Sequence, residues 1–199
     1  MADDHARDAT RRIIGIIGPP GAGKSTTVAM LLRSRKENAA IVPMDGFHLC
    51  QEELVRQGKR QRMGAPDTFD VSGYCNLLRR LRERTEDIVY APTFRRDIEE
   101  PIAGAIAIAR EVPLIFTEGN YLLLDSGGWE NVLPLLDEAW YLDVPQSMCE
   151  RQLMERRLEF GDSPEHAREW IRTVDRANDE IVRASRAGAP PQFSSSTSK

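Results

Sequence analysis

Eight residues near the start of the chain, Gly18-Pro19-Pro20-Gly21-Ala22-Gly23-Lys24-Ser25, constrain it more than any other stretch. They fit G-x-x-x-x-G-K-[ST] at every fixed position, follow the apolar run at 12–17 and lead into residues 26–32, which can form a helix. Strand, glycine-rich turn and helix in that order make a phosphate loop. The glycines let backbone N–H groups turn inward around phosphate oxygens, and the helix N-terminus favours the anion. Lys24 adds a mobile positive charge, and the Ser25 hydroxyl can ligate Mg²⁺. The expectation is a nucleoside triphosphate site made by Gly18, Pro19, Pro20, Gly21, Ala22, Gly23, Lys24, Ser25 and Thr26. An ordinary Gly/Pro turn before a helix is the alternative, and the correct flanks on both sides argue against it.

At 199 residues the chain has room for one domain. We place it at 12–183, with residues 1–11 and the Ala/Gly/Pro/Ser-rich tail 184–199 expected to be disordered. A hydrophobic content of 41% is enough to bury a core. The net charge of −4 provides no positive field for nucleic acid or an anionic membrane, so a small-molecule partner is favoured. Cys50, Cys75 and Cys149 are odd in number and widely spaced, which suits neither a disulfide framework nor a zinc site. With no apolar signal core and no run of about 18 apolar residues, a cytoplasmic, soluble protein is expected.

Residues 12–17 read as a buried strand, followed by a helix to about residue 36 and a second short strand at 39–44. A strand, a helix and a strand predict a parallel pair, so Asp45 stands at a carboxyl end and faces the same crevice as the phosphate loop. Residues 49–70, with Arg56, Lys59, Arg60 and Arg62, read as a loop-rich excursion over the site. Ser72 can cap a helix whose apolar stripe is Leu77, Leu78 and Leu81, with Arg79, Arg80, Arg82 and Arg84 on a solvated face. A strand at 88–92 and the alternation of Ile102, Gly104, Ile106 and Ile108 suggest an antiparallel arm, although the alanines there also allow helix. A buried strand at 112–117 ends in Glu118-Gly119-Asn120. A short helix at 129–136, a core strand at 139–144 and an amphipathic helix at 146–160 follow, the last closed by Gly161. Asp162-Ser163-Pro164 then opens a final helix towards residue 183.

Switches, motors and kinases all use a phosphate loop, so the other carboxylates decide between them. A kinase needs a group aimed at the acceptor hydroxyl, a carboxylate on the Mg²⁺ side, and cations that gather phosphoryl charge. Asp45 suits the first role, with a turn aspartate before Gly46 as its alternative, and Glu118 suits the second. Asp143 competes with Glu118, but Val144-Pro145 follow it directly and favour a strand-end or capping role. Arg151, Arg156 and Arg157 are either lid residues, at least one of which reaches the phosphates, or a solvated face paired with Glu150, Glu155 and Glu159. His48 either meets substrate or packs. No guanine-reading N-K-x-D or T-K-x-D surrounds the four lysines, Lys24, Lys36, Lys59 and Lys199. A nucleotide-binding switch or a regulatory ATP-binding protein without phosphoryl transfer is the rival reading.

The ordered set of motifs, 16–26, Asp45-Gly46-Phe47-His48, Gly64-Ala65-Pro66-Asp67-Thr68-Phe69-Asp70, Ala91-Pro92-Thr93-Phe94 and Glu118-Gly119-Asn120-Tyr121, resembles the phosphoribulokinase, uridine kinase and bacterial pantothenate kinase superfamily. It is most similar there to a branch labelled nucleoside/nucleotide kinase-like or fructose-transport-system kinase. The resemblance spans about 12–183. It implies a three-layer α/β P-loop nucleoside triphosphate hydrolase fold with a five-stranded parallel sheet, order 2-3-1-4-5, a helical lid near 151–165 and, often, a homodimer. It also implies ATP- and Mg²⁺-dependent transfer of the γ-phosphoryl group to a hydroxyl of a sugar, nucleoside or pantothenate-like acceptor. By that resemblance Asp45 and Lys24 are catalytic, Ser25 and Glu118 hold the metal, and Arg151 and Arg156 belong to the lid. Asp45, His48, Asp67, Phe94, Arg96 and Tyr121 form the acceptor side. Arg95-Arg96 stand where the family pattern has an Asp before the arginine.

Overall fold

In the computed structural model the first strand is the inner strand of the sheet. The structure describes residues 11–35 and 38–186 and the backbone of 194–196. β1 (Arg12–Ile17) buries every residue after Arg12, as a strand covered on both faces must. It pairs in parallel with β5 (Leu114–Gly119) on one side and β6 (Glu138–Leu142) on the other, and β2 (Ala39–Pro43) flanks β5. The result is a four-stranded parallel sheet in the order β2-β5-β1-β6. A short segment, β7 (Ser194–Ser196), runs parallel beside β6 with Ser194 opposite Trp140. The alternation along β1 divides the core in two. Ile14 and Ile16 join Val28, Phe116 and Cys149 on one face, whereas Ile13 and Ile17 join Val42, Tyr74, Leu78 and Trp129 on the other.

α1 (Lys24–Arg35) follows the phosphate loop and packs on β1, β2 and β5. The excursion after β2 is built from single turns at Met44–Phe47, Arg60–Arg62 and Pro66–Thr68 and from one short helix, α2 (Gln51–Arg56). α2 buries only Leu54, so it leaves no apolar period in the sequence. α3 (Val71–Glu83) is capped by Asp70, whose carboxylate accepts from the Gly73 N–H at 2.8 Å, and not by Ser72. The helix begins one residue before Ser72, which places that hydroxyl inside the first turn. Tyr74, Leu77, Leu78 and Leu81 form the buried stripe.

β3 (Ile88–Arg95) and β4 (Glu100–Ala109) form an antiparallel arm that is separate from the main sheet. The register slips between Ala91 and Thr93, where Pro92 has no N–H to give the ladder. Residues 129–136 make two single turns, Trp129–Asn131 and Leu133–Leu135, in place of one short helix, because Pro134 lacks the donor a continuing helix needs. α4 (Gln146–Glu159) leads to α5 (Pro164–Trp170), whose cap Ser163 accepts from the His166 N–H at 3.2 Å. A π-helical turn, Ile171–Asp175, joins α5 to α6 (Arg176–Arg186). The ends expected to be disordered lie largely outside the described residues, at 1–10, 187–193 and 197–199. Among the described residues no helix is long and apolar enough to cross a membrane.

Arg11 is 3% exposed and acts as a staple. Its guanidinium donates to the carbonyls of Leu81 (2.7 Å), Ala109 (2.8 Å), Arg110 (2.9 Å) and Val112 (2.8 Å), tying the end of α3 to the exit of the arm and the entry of β5.

The Tyr74 phenol is paired with Thr117 Oγ1, which in turn donates to the Val42 carbonyl at 2.7 Å. Burial raises the pKa of Tyr74, and likewise that of Tyr121. Both folded values lie above the unfolded one, so their contribution is fully present below about pH 10 and is lost as pH rises above it. In urea unfolding above about pH 10, each phenol should lower the unfolding free energy by about 1.4 kcal/mol per pH unit. Tyr74→Phe should make the fall shallower.

Candidate active site

The loop at 18–25 joins β1 to α1 and is shaped by two glycines in the left-handed region, Gly21 (φ +78) and Gly23 (φ +79). A Cβ on Gly21 would stand 2.5 Å from the Cys149 carbonyl oxygen, so only glycine fits where the loop presses on α4. Lys24 is 8% exposed and donates from Nζ to the carbonyls of Gly18 and Pro19, both at 2.9 Å, and to Asn120 Oδ1 at 2.6 Å. Burial lowers its pKa to about 8, against the opposing pull of Glu118 and Asp45.

The register explains how the two acidic residues meet this loop. Ile16 lies opposite Glu118 in the β1/β5 pair and Pro43 opposite Glu118 in the β2/β5 pair, so β5 delivers Glu118 between the loop and the turn that carries Asp45. Ser25 Oγ donates to Glu118 Oε1 at 2.9 Å, and Arg96, from the end of the arm, donates to Asp45 Oδ2 at 2.7 Å. Burial, reinforced by the charge of Asp45, raises Glu118, with Lys24 and Ser25 opposing. Burial alone would raise Asp45 too, but Arg96, His48 and Lys24 outweigh it and hold Asp45 below the ordinary carboxylate range. Two neighbouring carboxyls are thus split in character, as acid and base pairs in enzymes are.

The donor set suits a hard cation. Magnesium takes one or two protein oxygens and completes its shell with water and phosphate, and Ser25 and Glu118 are two oxygens in contact beside the loop. Among the described residues no group of three or more His, Cys, Asp and Glu side chains is placed to hold a metal by itself.

A cleft of about 480 Å³ joins the loop to the acceptor side, within the ~300–1,000 Å³ typical of small-molecule sites. Lys24, Ser25, Thr26, Glu118 and Asn120 line its donor half. Asp45, His48, Phe69, Phe94 and Arg96 line the other, below Arg156, Arg157 and Trp170 from the helices after β6. Gly46 admits this convergence, because a Cβ there would stand 2.5 Å from the Pro92 carbonyl oxygen at the arm. His48 donates from Nδ1 to the Asp45 carbonyl at 2.8 Å, with its ring centroid 4.0 Å from Phe69 and 4.7 Å from Phe94. Burial lowers its pKa, against the opposing pull of Asp45.

Gly18, Pro19 and Ala22 support the loop from behind its lining residues, and several other residues named from the sequence do not line the cleft. Arg151 is exposed on α4, 3.9 Å from Glu155, in the solvated arrangement that was the alternative for these arginines. Asp67 turns outward to Arg62 and to Lys59, the latter at 3.3 Å. Tyr121 is fully buried beneath the cleft, with its hydroxyl donating to the Gly64 carbonyl. Asp143 pairs with Arg186 at 2.6 Å, away from the loop. Conversely, Asn120, Asp175 and Asn178 line the cleft and were given no role from the sequence. Asn120 had a signal, since it directly follows Glu118-Gly119 at the strand end. Asp175 and Asn178 sit at and after a π turn, which helical periodicity does not reveal.

No family model matches the chain. Individual proteins do. It is 36% identical over 160 residues to a Schizosaccharomyces pombe protein named "Putative uridine kinase", a match covering 76% of this chain and 68% of the relative. It is 31% identical over 177 residues to the uncharacterized protein YggC of Escherichia coli, covering 86% of this chain and 73% of that one. Among solved structures, a "putative fructose transport system kinase" from Silicibacter sp. TM1040 superposes with a TM-score of 0.84 at 34% identity, over 98% of this chain and 93% of that one. The chain belongs to the phosphoribulokinase, uridine kinase and bacterial pantothenate kinase superfamily of P-loop kinases.

Proposed function

We propose that this chain transfers the γ-phosphoryl group of ATP to a hydroxyl of a sugar, nucleoside or pantothenate-like acceptor. The observation that carries the reading is the placement of Asp45 and Glu118 at adjoining strand ends beside the Lys24 and Ser25 of the loop. Asp45, held ionised by Arg96, accepts a hydrogen bond from the acceptor hydroxyl and orients its oxygen towards the γ-phosphorus. As the new O–P bond forms, the bond from phosphorus to the bridging oxygen breaks, ADP leaves with that electron pair, and the hydroxyl proton passes to Asp45. Lys24 and Arg156 face the phosphoryl charge. Ser25 and Glu118 would hold Mg²⁺, which when bound neutralises phosphate charge.

The proposal includes completion of the family's five-stranded order by Ser194–Ser196 beside β6, a cytoplasmic setting and pairing of two copies. The net charge of −4 supports a small-molecule acceptor over nucleic acid. The test is an ADP-release screen over sugars, nucleosides, pantothenate and vitamin-like alcohols. Release stimulated by some compounds and not by others is the expected result. A rate indifferent to every compound would favour the nucleotide switch.

A further inference from the structure

Part of the cleft wall comes from the π turn and the first turn of α6. Asp175 closes the π turn, and Asn178 follows three residues later, on the same helix face. Both line the cleft. Single π turns are rare and concentrate at functional sites, where the extra residue redirects side chains.

Asp175 is 8% exposed, and its buried Oδ2 accepts no hydrogen bond. The nearest cation is Arg157 Nε at 3.7 Å, beyond hydrogen-bonding distance, and that Nε is itself without a hydrogen-bond partner. Asn178 donates one amide N–H to the Gly64 carbonyl at 3.3 Å and keeps its Oδ1 as an acceptor and its second N–H as a donor. Asp175 and Asn178 therefore offer acceptors to a donor in the cleft, beside the unused N–H groups of Asn178 and Arg157.

The cations of the cleft point the same way. Arg96 is paired with Asp45 at 2.7 Å and Arg157 with Asp162 at 2.8 Å. Lys24 belongs to the phosphate loop. Arg156 has no carboxylate partner among the described residues and is the cation available to the transferring phosphate. An acidic group on the acceptor would have to compete with Asp45, Asp162 and Asp175 for Arg96 and Arg157, and would also meet the Asp175 carboxylate. A neutral compound carrying several hydroxyls fits this arrangement, with one hydroxyl at Asp45 and another at Asp175 and Asn178.

Resting on the kinase reading above, we propose that Asp175 and Asn178 read a non-reacting hydroxyl of an uncharged polyol acceptor, a free sugar or the sugar of a nucleoside, and that carboxylate-bearing acceptors are rejected.

The full chain with ATP and Mg²⁺ is assayed for ADP release on D-ribose, D-fructose and uridine, and on D-glycerate, D-gluconate and pantothenate. The sugar and nucleoside arms separate the two sources of the polyol. Neutral compounds should be phosphorylated and the three acids should not. Asp175→Asn, which keeps the shape and removes the charge, should raise the acceptor KM about tenfold or more, the scale of one charge-assisted hydrogen bond. The KM for ATP and the melting temperature should stay in place, and the acids should gain activity. Transfer confined to the acids would overturn the polyol class and leave the kinase reading standing. ATP hydrolysis that no compound alters would overturn both. A lowered melting temperature in Asp175→Asn with the acceptor KM unmoved would make Asp175 a framework residue and overturn its assignment. The neutral-to-acid ratio of the unmodified chain tests the class without any variant.

Discussion

Asp45→Asn lowers phosphoryl transfer by about 10²–10⁴-fold, the range over which a positioned proton acceptor contributes, while nucleotide affinity changes little. The substitution keeps the size of the side chain and removes the anion that orients the acceptor hydroxyl. It also removes the charge that pairs with Arg96 at 2.7 Å, so an acceptor pocket shaped by that pair loosens as well. Single-turnover transfer and nucleotide titration on the same preparation separate the two effects. A near-normal rate would remove Asp45 from the chemistry and return it to the role of a turn aspartate before Gly46.

Lys24→Met damages both binding and transfer. Nucleotide affinity should fall about 10- to 100-fold, the scale of a lost charge-assisted hydrogen bond, and transfer should fall by a further ~10²–10³-fold as charge on the moving phosphoryl group goes unanswered. Three acceptors, Gly18 O, Pro19 O and Asn120 Oδ1, lose their donor in the same step. Lys24→Arg is not a mild control, because the planar guanidinium is larger than the ammonium that fits between two loop carbonyls. Isothermal titration with a non-hydrolysable nucleotide, beside a transfer assay, checks both numbers. Intact binding in Lys24→Met would contradict the role given to the loop.

The donor half of the site is legible in the sequence because its parts are local. The loop is eight consecutive residues, and the strand before Asp45 and the strand through Glu118 are short apolar runs that end beside those residues. Fully buried parallel strands leave that continuous signature. The acceptor half is not local. Arg96 reaches Asp45 from 51 positions away, and Asn178 reaches Gly64 from 114. The sequence suggested the arm but could not exclude a helix for β4, since alanine suits both, and contacts within a hairpin were needed to decide. The π turn eludes a reading based on a period of 3.6, which is why Asp175 carried no signal. Arg156 and Arg151 look alike in the sequence, but only Arg156 lines the cleft. The cap of α3 was misplaced by two residues, from Asp70 to Ser72, because both residue types favour the position.

The two-stranded arm shares no backbone ladder with the four-stranded sheet. A substitution in it leaves the hydrogen-bond ladder that holds the phosphate loop in place. A lineage can alter residues 94–99, change which alcohol is held against Asp45, and leave untouched the strands that hold Lys24, Ser25 and Glu118.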